Sequence, residues 1–198
     1  MNDQLQFRIA TIYDLPRIVH MLVDDFLGTN REKIDGELSN KYIRAFQEIE
    51  KDPNNELIVA VLSEPPAVAG LKLQKPAREQ GRNRDVDSYV LSNGQASAFE
   101  PAAAASGSDI VGTFQLIYTP SLSFQGSKRC TVESVRVDSS LRGQGIGREM
   151  MLWAIERAKE KGCVAMQLTT HSERKNAHRF YEKLGFKGTH LGMKLKLK

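Results

Sequence analysis

Cysteines are scarce in this chain, histidines are unclustered and no apolar run is long. Only Cys130 and Cys163 occur, isolated from one another and outside any CxxC. A disulfide framework and a zinc site are therefore not expected, no metal is assigned, and a reducing cytoplasm is the expected compartment. No stretch approaches the ~20 apolar residues of a membrane span. Met1-Asn-Asp-Gln lacks the basic-then-apolar pattern of a secretory signal, so neither membrane insertion nor secretion is expected. A P-loop would need G-x-x-x-x-G-K-[ST], and that run is missing. So is an early G-x-G-x-x-G followed by an acidic residue about 20 positions on, which excludes a dinucleotide fold of that type.

Length and charge set the next limits. At 198 residues one domain is expected, large enough to bury a core. The net charge of +4 conceals an asymmetry, with residues 128–198 carrying 16 Lys/Arg against 7 Asp/Glu. These basic residues are scattered, with no aromatic RNP-type motif or recognition helix, so nucleic acid is not the expected partner. A polyanionic ligand held by the C-terminal half, approached by a cationic one from the acidic N-terminal side, accounts for the sign better.

Periodicity predicts an alternation of strands and helices. A strand is expected at Phe7–Ala10, then a helix from the Thr11-x-x-Asp14 capping box to about Phe26, and a second from Glu37 to Lys51. Strands follow at Glu56–Leu62, Ile110–Tyr118 and Cys130–Val137. Arg148 to Lys161 reads as one helix, stopped by Gly162, with Ile146, Met150, Ala154 and Ala158 on one stripe. Val164–Thr170 reads as a strand, Ser172 to Leu184 as a helix closed by Gly185, and Leu191–Leu197 as a last strand. This alternation predicts a mixed α/β sheet. The stretch at about 64–109, with Pro65-Pro66, Pro76, Pro101 and few large apolar residues, is expected to be a disordered insertion, with Ala67–Leu73 able to form an extra strand.

Chemistry is concentrated after Thr131-Val-Glu-Ser-Val-Arg-Val137. There Arg142-Gly143-Gln144-Gly145-Ile146-Gly147 crowds three glycines before Arg148 opens the long helix. Alternate glycines uncover backbone N–H groups and let a ligand approach closely. At a helix N-terminus those groups lack intrahelical partners and sit at the positive end of the dipole, which suits a phosphate. A second segment, Gln167 to Phe186, contains Asn176-Ala-His-Arg-Phe-Tyr181-Glu-Lys-Leu-Gly-Phe186.

Together the two segments resemble the GNAT superfamily of acetyl-CoA-dependent N-acetyltransferases. Arg142, Gly145 and Gly147 match its [Q/R]-x-x-G-x-[G/A] motif, and Ala177, Tyr181, Gly185 and Phe186 match its Ala-x-x-x-Tyr-x-x-x-Gly-Phe pattern. The resemblance covers about Phe7 to the C-terminus apart from the insertion. It implies an α+β fold with a mostly antiparallel central sheet flanked by helices. It also implies acetyl-CoA as acetyl donor, an amine as acceptor, and room for a homodimer. Val135, Arg136 and Val137 would hold the pantetheine arm through the strand edge, and Arg142 to Arg148 the pyrophosphate. The family's Asn, seven residues before the Tyr, is replaced here by Arg174; Asn176, five before, is the nearest substitute and is included among the cofactor-binding candidates.

Acetyl transfer to an amine must remove a proton from the ammonium and return one to the departing thiolate. Tyr181 is the candidate acid. An ordinary Tyr at ~10 is weaker than a thiol at ~8.5, so full transfer is uphill by roughly 2 kcal/mol unless donation is concerted or the pKa shifts. Glu133, a carboxylate in a β-branched strand, is the candidate base, with His171 as rival; His178 is placed on the exposed helix face. The expected activity is acetylation of a small primary amine by direct attack. A protein amine as acceptor, or a non-catalytic acyl-CoA-binding regulatory module, are the alternatives.

Overall fold

The structure, a computed structural model, describes residues 5–24, 38–63 and 110–197. Five strands, β1 (Leu5–Ile9), β2 (Asn55–Leu62), β3 (Ile110–Pro120), β4 (Lys128–Val137) and β5 (Cys163–Leu168), lie side by side in chain order. The first three pairings are antiparallel and β4–β5 is parallel, so the sheet is mixed and mostly antiparallel, as expected. Parallel neighbours need a long crossover, and the helix between β4 and β5 supplies it. Helices α1 (Leu15–Val23), α2 (Asn40–Lys51), α3 (Ile146–Glu160) and α4 (Lys175–Lys183) flank the sheet, with single helical turns at Ile12–Asp14, Ser123–Gly126 and Ser139–Leu141. None of the described helices is long and apolar enough to cross a membrane.

Strand alternation divides the sheet into two buried faces. On one, Ile58, Phe114, Leu116, Cys130 and Val132 pack against Met150, Met151 and Ala154 of α3. On the other, Val59, Val61 and Ile110 pack against Leu15, Ile18 and Val19 of α1 and Phe46 of α2. The stripe Ile146, Met150, Ala154 and Ala158 is buried as its spacing predicts. Gly112 permits the close approach of α3: a Cβ there would lie 2.6 Å from Met150 Sδ.

A buried charge ties the helix end to the sheet. Glu56 of β2 is 6% exposed. Its carboxylate accepts from Tyr118 Oη at 2.8 Å, from Arg157 Nη2 at 2.7 Å and Nε at 3.0 Å, and lies 2.8 Å from Lys161 Nζ. Burial alone would raise this carboxyl, but hydrogen bonds from Arg157, Lys161 and Tyr118 outweigh it and hold it at about 2, against an ordinary 4.5. A carboxyl lowered on folding stabilises the protein above its ordinary pKa and ceases to as pH falls through the lowered value. Glu56→Gln is expected to cost about 2–4 kcal/mol at pH 7, below the full cost of a broken buried pair, since Lys161 loses its carboxylate while Arg157 retains Glu160. Urea unfolding checks this: the gap to the parent should shrink between pH 5 and 2, and a pH-independent gap would show that packing carries it.

Several expected boundaries move. The Thr11–Asp14 box exists, with Thr11 N–H donating to Asp14 Oδ2 at 2.7 Å, but it opens a 3-10 turn, Ile12–Asp14, that precedes α1. The helix ends at Val23 rather than near Phe26, which lies outside the described residues. Ser39, whose hydroxyl accepts from Lys41 N–H, is the N-cap of α2. The last helix begins at Lys175, not Ser172. Arg174 N–H bonds His171 O and Glu173 N–H bonds His171 Nδ1, which commits residues 171–174 to a turn. The expected strand at Leu191–Leu197 is not formed. Its alternation suits a strand, but a strand needs a ladder partner, none among the described residues pairs with it, and Leu191, Met193, Leu195 and Leu197 are all at least 84% exposed. The expectations for the insertion and for Ala67–Leu73 fall outside the described residues.

Candidate active site

The site begins where two strands part. β4 and β5 pair from Lys128–Cys163 to Val132–Leu168 and no further. Beyond Val132, residues 133–137 keep β3 on one edge and, among the described residues, have no ladder on the other. That free edge includes Val135, Arg136 and Val137. Its start is kinked: Gln115 opposes Glu133 and Thr113 opposes Arg136, so β4 carries a bulge, with Ser134 at φ 53. A bulge re-aims neighbouring groups and strengthens the local twist.

The glycine loop lies at the end of this edge. Gly143 and Gly145 adopt φ of 82 and 88, conformations that other residues rarely take, and Gly145 is the N-cap of α3. Arg148 and Glu149 N–H bond Gly145 O. No acceptor among the described residues reaches the N–H groups of Gln144, Gly145, Ile146 or Gly147. Those orphan donors fit a pyrophosphate. A Cβ on Gly147 would lie 3.6 Å from Val137 and 3.7 Å from Phe180, so this turn rests on β4 and α4. The Ile146 side chain is buried, which leaves only its backbone for a ligand.

Arg142 does something its motif position did not predict. Its Nη2 donates to Asp24 O at 3.0 Å and its Nε to Val137 O at 3.3 Å, so it braces the end of α1 against the loop. Arg17 of α1 makes a second brace, bonding Ile110 O and pairing with Asp138. Asp138 in turn accepts from Ser140 N–H at 2.9 Å; its hydrogen bonds from Ser140 and Arg17 hold the carboxyl at about 2. Sequence reasoning missed Arg17, because nothing local marks a residue whose partner is 121 positions away. Arg148 bonds Glu149 on the exposed surface.

Between loop, β4 edge and α4 lies a cleft of about 490 Å³, lined by Val135, Arg136, Val137, Arg142, Arg174 and Asn176 among others. Arg136, Arg142, Arg174 and Lys175 give it a positive lining, which suits a polyanion. Asn176 Oδ1 accepts from Arg179 Nη2 at 2.7 Å.

Tyr181 of α4 is edge-on to Phe180 at 5.0 Å and to Phe186 at 5.8 Å. Its hydroxyl has no hydrogen bond to the described residues. Burial raises its pKa, Arg136 and Arg174 oppose the rise, and Glu133 adds to it. Arg136, Arg174 and Glu133 are thus the charged groups close enough to Tyr181 to influence its hydroxyl. The phenol is neutral at physiological pH and holds a proton, but the upward shift makes complete transfer to a thiolate more costly. His171 is committed to its turn, and His178 Nε2 lies 3.0 Å from His171 O, so the described contacts of both histidines are local. The Cys130 thiol is a poor nucleophile: it is fully buried, and burial, chiefly, pushes it up to about 12. No group of three or more potential metal ligands occurs among the described residues.

Comparison with known proteins bears on the family. The model of the acetyltransferase (GNAT) family matches residues 71–186. The chain is 37% identical over 59 residues to an aminoalkylphosphonate N-acetyltransferase of Salmonella typhimurium, covering 30% of this chain and 38% of that one. It is 34% identical over 88 residues to a glucosamine 6-phosphate N-acetyltransferase of Trypanosoma brucei brucei, covering 44% and 58%. The match thus spans under two thirds of either relative. A solved structure described as a transcriptional regulator from Bacillus halodurans C-125 is similar throughout, with 42% identity, TM-score 0.72 and 98% and 99% of the two chains covered.

Proposed function

The chain belongs to the acetyltransferase (GNAT) family, and on that premise we propose that it transfers acetyl from acetyl-CoA to a primary amine of a small molecule by direct attack. The observation that carries this reading is the free edge at residues 133–137, which starts at Glu133 and leads to the orphan N–H groups of the glycine loop. The glycine loop would take the pyrophosphate, and the β4 edge the amide-bearing arm as an added strand. The thioester supplies an activated acyl carbon. Glu133, directly or through one water, takes the proton that the ammonium must lose. Backbone N–H groups beside the bulge face the oxygen on which charge develops. Tyr181 gives its proton to the sulfur as the C–S bond breaks and regains one from solvent. The buried Cys130 supports direct attack over a covalent acyl-enzyme. Two unpaired thiols and no described membrane helix suit a reducing cytoplasm.

Both N-acetyltransferase relatives are named for amines that also bear phosphorus, which supports a small acceptor over a protein. A second reading, an acyl-CoA-binding regulator without turnover, draws on the full-length likeness to a protein described as a transcriptional regulator. Thiol release from acetyl-CoA across a panel of small amines and a lysine peptide separates the readings. Turnover of a small amine supports the enzyme. Tight acetyl-CoA binding with no turnover of any acceptor leaves the regulator.

Glu133→Gln provides a finer check. With the base removed, kcat/KM at pH 7 is expected to fall on the order of 10²-fold. The loss should narrow toward pH 9–10, where a free amine of pKa ~10 is largely neutral already. A deficit that persists undiminished at high pH would assign Glu133 a structural role.

A further inference from the structure

On β4, Cys130 and Val132 face the α3 side of the sheet, within the same core cluster as Leu116 and Tyr118. Strand alternation therefore turns Arg129, Thr131 and Glu133 to the opposite face. There Arg129 stands between Thr119 of β3 and Ala165 of β5, both exposed, while Thr131 Oγ1 accepts from Gln167 Nε2 of β5 at 3.1 Å. The result is a lane along one face of the sheet, with a carboxylate at the bulge end, neutral polar groups in the middle and a guanidinium at the far end.

Arg129 is the unexplained member. Its Nε is shut off from solvent, yet no acceptor or carboxylate among the described residues reaches the side chain. A buried donor without a partner costs about 1–3 kcal/mol, and an arginine fork is shaped for a planar oxyanion. Glu133 lies four positions further along the strand, roughly 13 Å away between Cα atoms. Both side chains can lean along the strand and shorten that gap to the length of a small molecule.

We propose that the acceptor amine is zwitterionic: its ammonium lies at Glu133, and an oxyanion at its other end, phosphonate, phosphate or carboxylate, is bound by Arg129. The inference rests on the reading of Glu133 and Tyr181 as the transfer site and adds a substrate class to it. Arg129 is a specificity residue and takes no part in moving protons. Its partner oxyanion would satisfy the buried Nε–H, and its opposite-sign neighbour along the lane would orient the amine toward the bulge.

The test compares 3-aminopropylphosphonate, 4-aminobutanoate and butylamine as acceptors, followed by thiol release from acetyl-CoA. The parent should prefer the anionic amines over butylamine at least tenfold in kcat/KM, through KM. Arg129→Gln should collapse that preference at least tenfold while the KM for acetyl-CoA stays within a few-fold; Arg129→Lys should recover part of it. A parent that prefers butylamine, or an Arg129→Gln variant that loses all three acceptors equally, overturns the proposal. If the parent turns over none of the three, the transfer reading itself is at fault, and calorimetry with 3-aminopropylphosphonate on the CoA-loaded protein decides the Arg129 site separately. Binding that weakens tenfold in Arg129→Gln sustains the oxyanion site; equal binding, or none to the parent, ends it.

Discussion

Replacing Gly145 by Asp is expected to lower acetyl-CoA affinity by 100-fold or more while the protein remains folded. Gly145 is the N-cap of α3 at φ 88, amid N–H groups that have no acceptor among the described residues. A Cβ built there meets nothing within 4 Å, so the substitution adds no clash. Its backbone cost is that of a non-glycine residue in the left-handed region, about 1–2 kcal/mol, and Asp tolerates that region better than most. The new carboxylate would sit where the pyrophosphate is proposed to bind, satisfying the orphan donors internally and repelling a second anion. Gly145→Ala carries the same backbone cost without the charge and separates the two effects. Calorimetric titration with acetyl-CoA, alongside circular dichroism, reads the result. An Asp variant that binds as well as the Ala variant would remove the anion site from the proposal.

Tyr181→Phe is expected to reduce turnover on the order of 10²-fold, a typical contribution from a positioned acid. The ring lies edge-on to Phe180 and Phe186, and both contacts survive the substitution. The hydroxyl makes no described hydrogen bond, so its loss should leave stability nearly as it was and acetyl-CoA affinity within a few-fold. What disappears is the one proton this side chain can give. The upward pKa shift sharpens the expectation, because a phenol that holds its proton more tightly donates only as the thiolate forms. A rate that limits on chemistry and equals the parental rate would make Tyr181 a packing residue, with the thiolate protonated by solvent.

Some of this protein is readable from single segments. The stripe of Ile146, Met150, Ala154 and Ala158 repeats within one helix. The glycines at 143, 145 and 147 mark a turn whose N–H groups are left uncovered, and the first two adopt positive φ. The order of Arg142, Gly145, Gly147 and Tyr181 carries the family likeness, and the family model matches across it. Each of these signals is local: a helix period, a backbone freedom or a fixed spacing acts within a few residues and does not depend on what the rest of the chain packs against.

Other features depend on register, and only the tertiary structure decided them. Nothing in Lys128–Val137 says that β5 stops pairing at Val132, because a free edge is a property of two strands. The bulge at Ser134 appears only once β3 counts one residue fewer. Leu191–Leu197 alternates like a strand yet has no ladder, since alternation specifies faces and not partners. Arg17 meets Asp138 across 121 residues, and Arg142 turns back to Asp24 across 118. The sequence alone thus marked the candidate anion-binding turn, the helix faces and the candidate acid, because their causes lie within a few residues along the chain. The structure decided which edge is open, which arginines brace the loop, and that Arg129 shares a face with Glu133, because those depend on how separate strands and helices are set against one another.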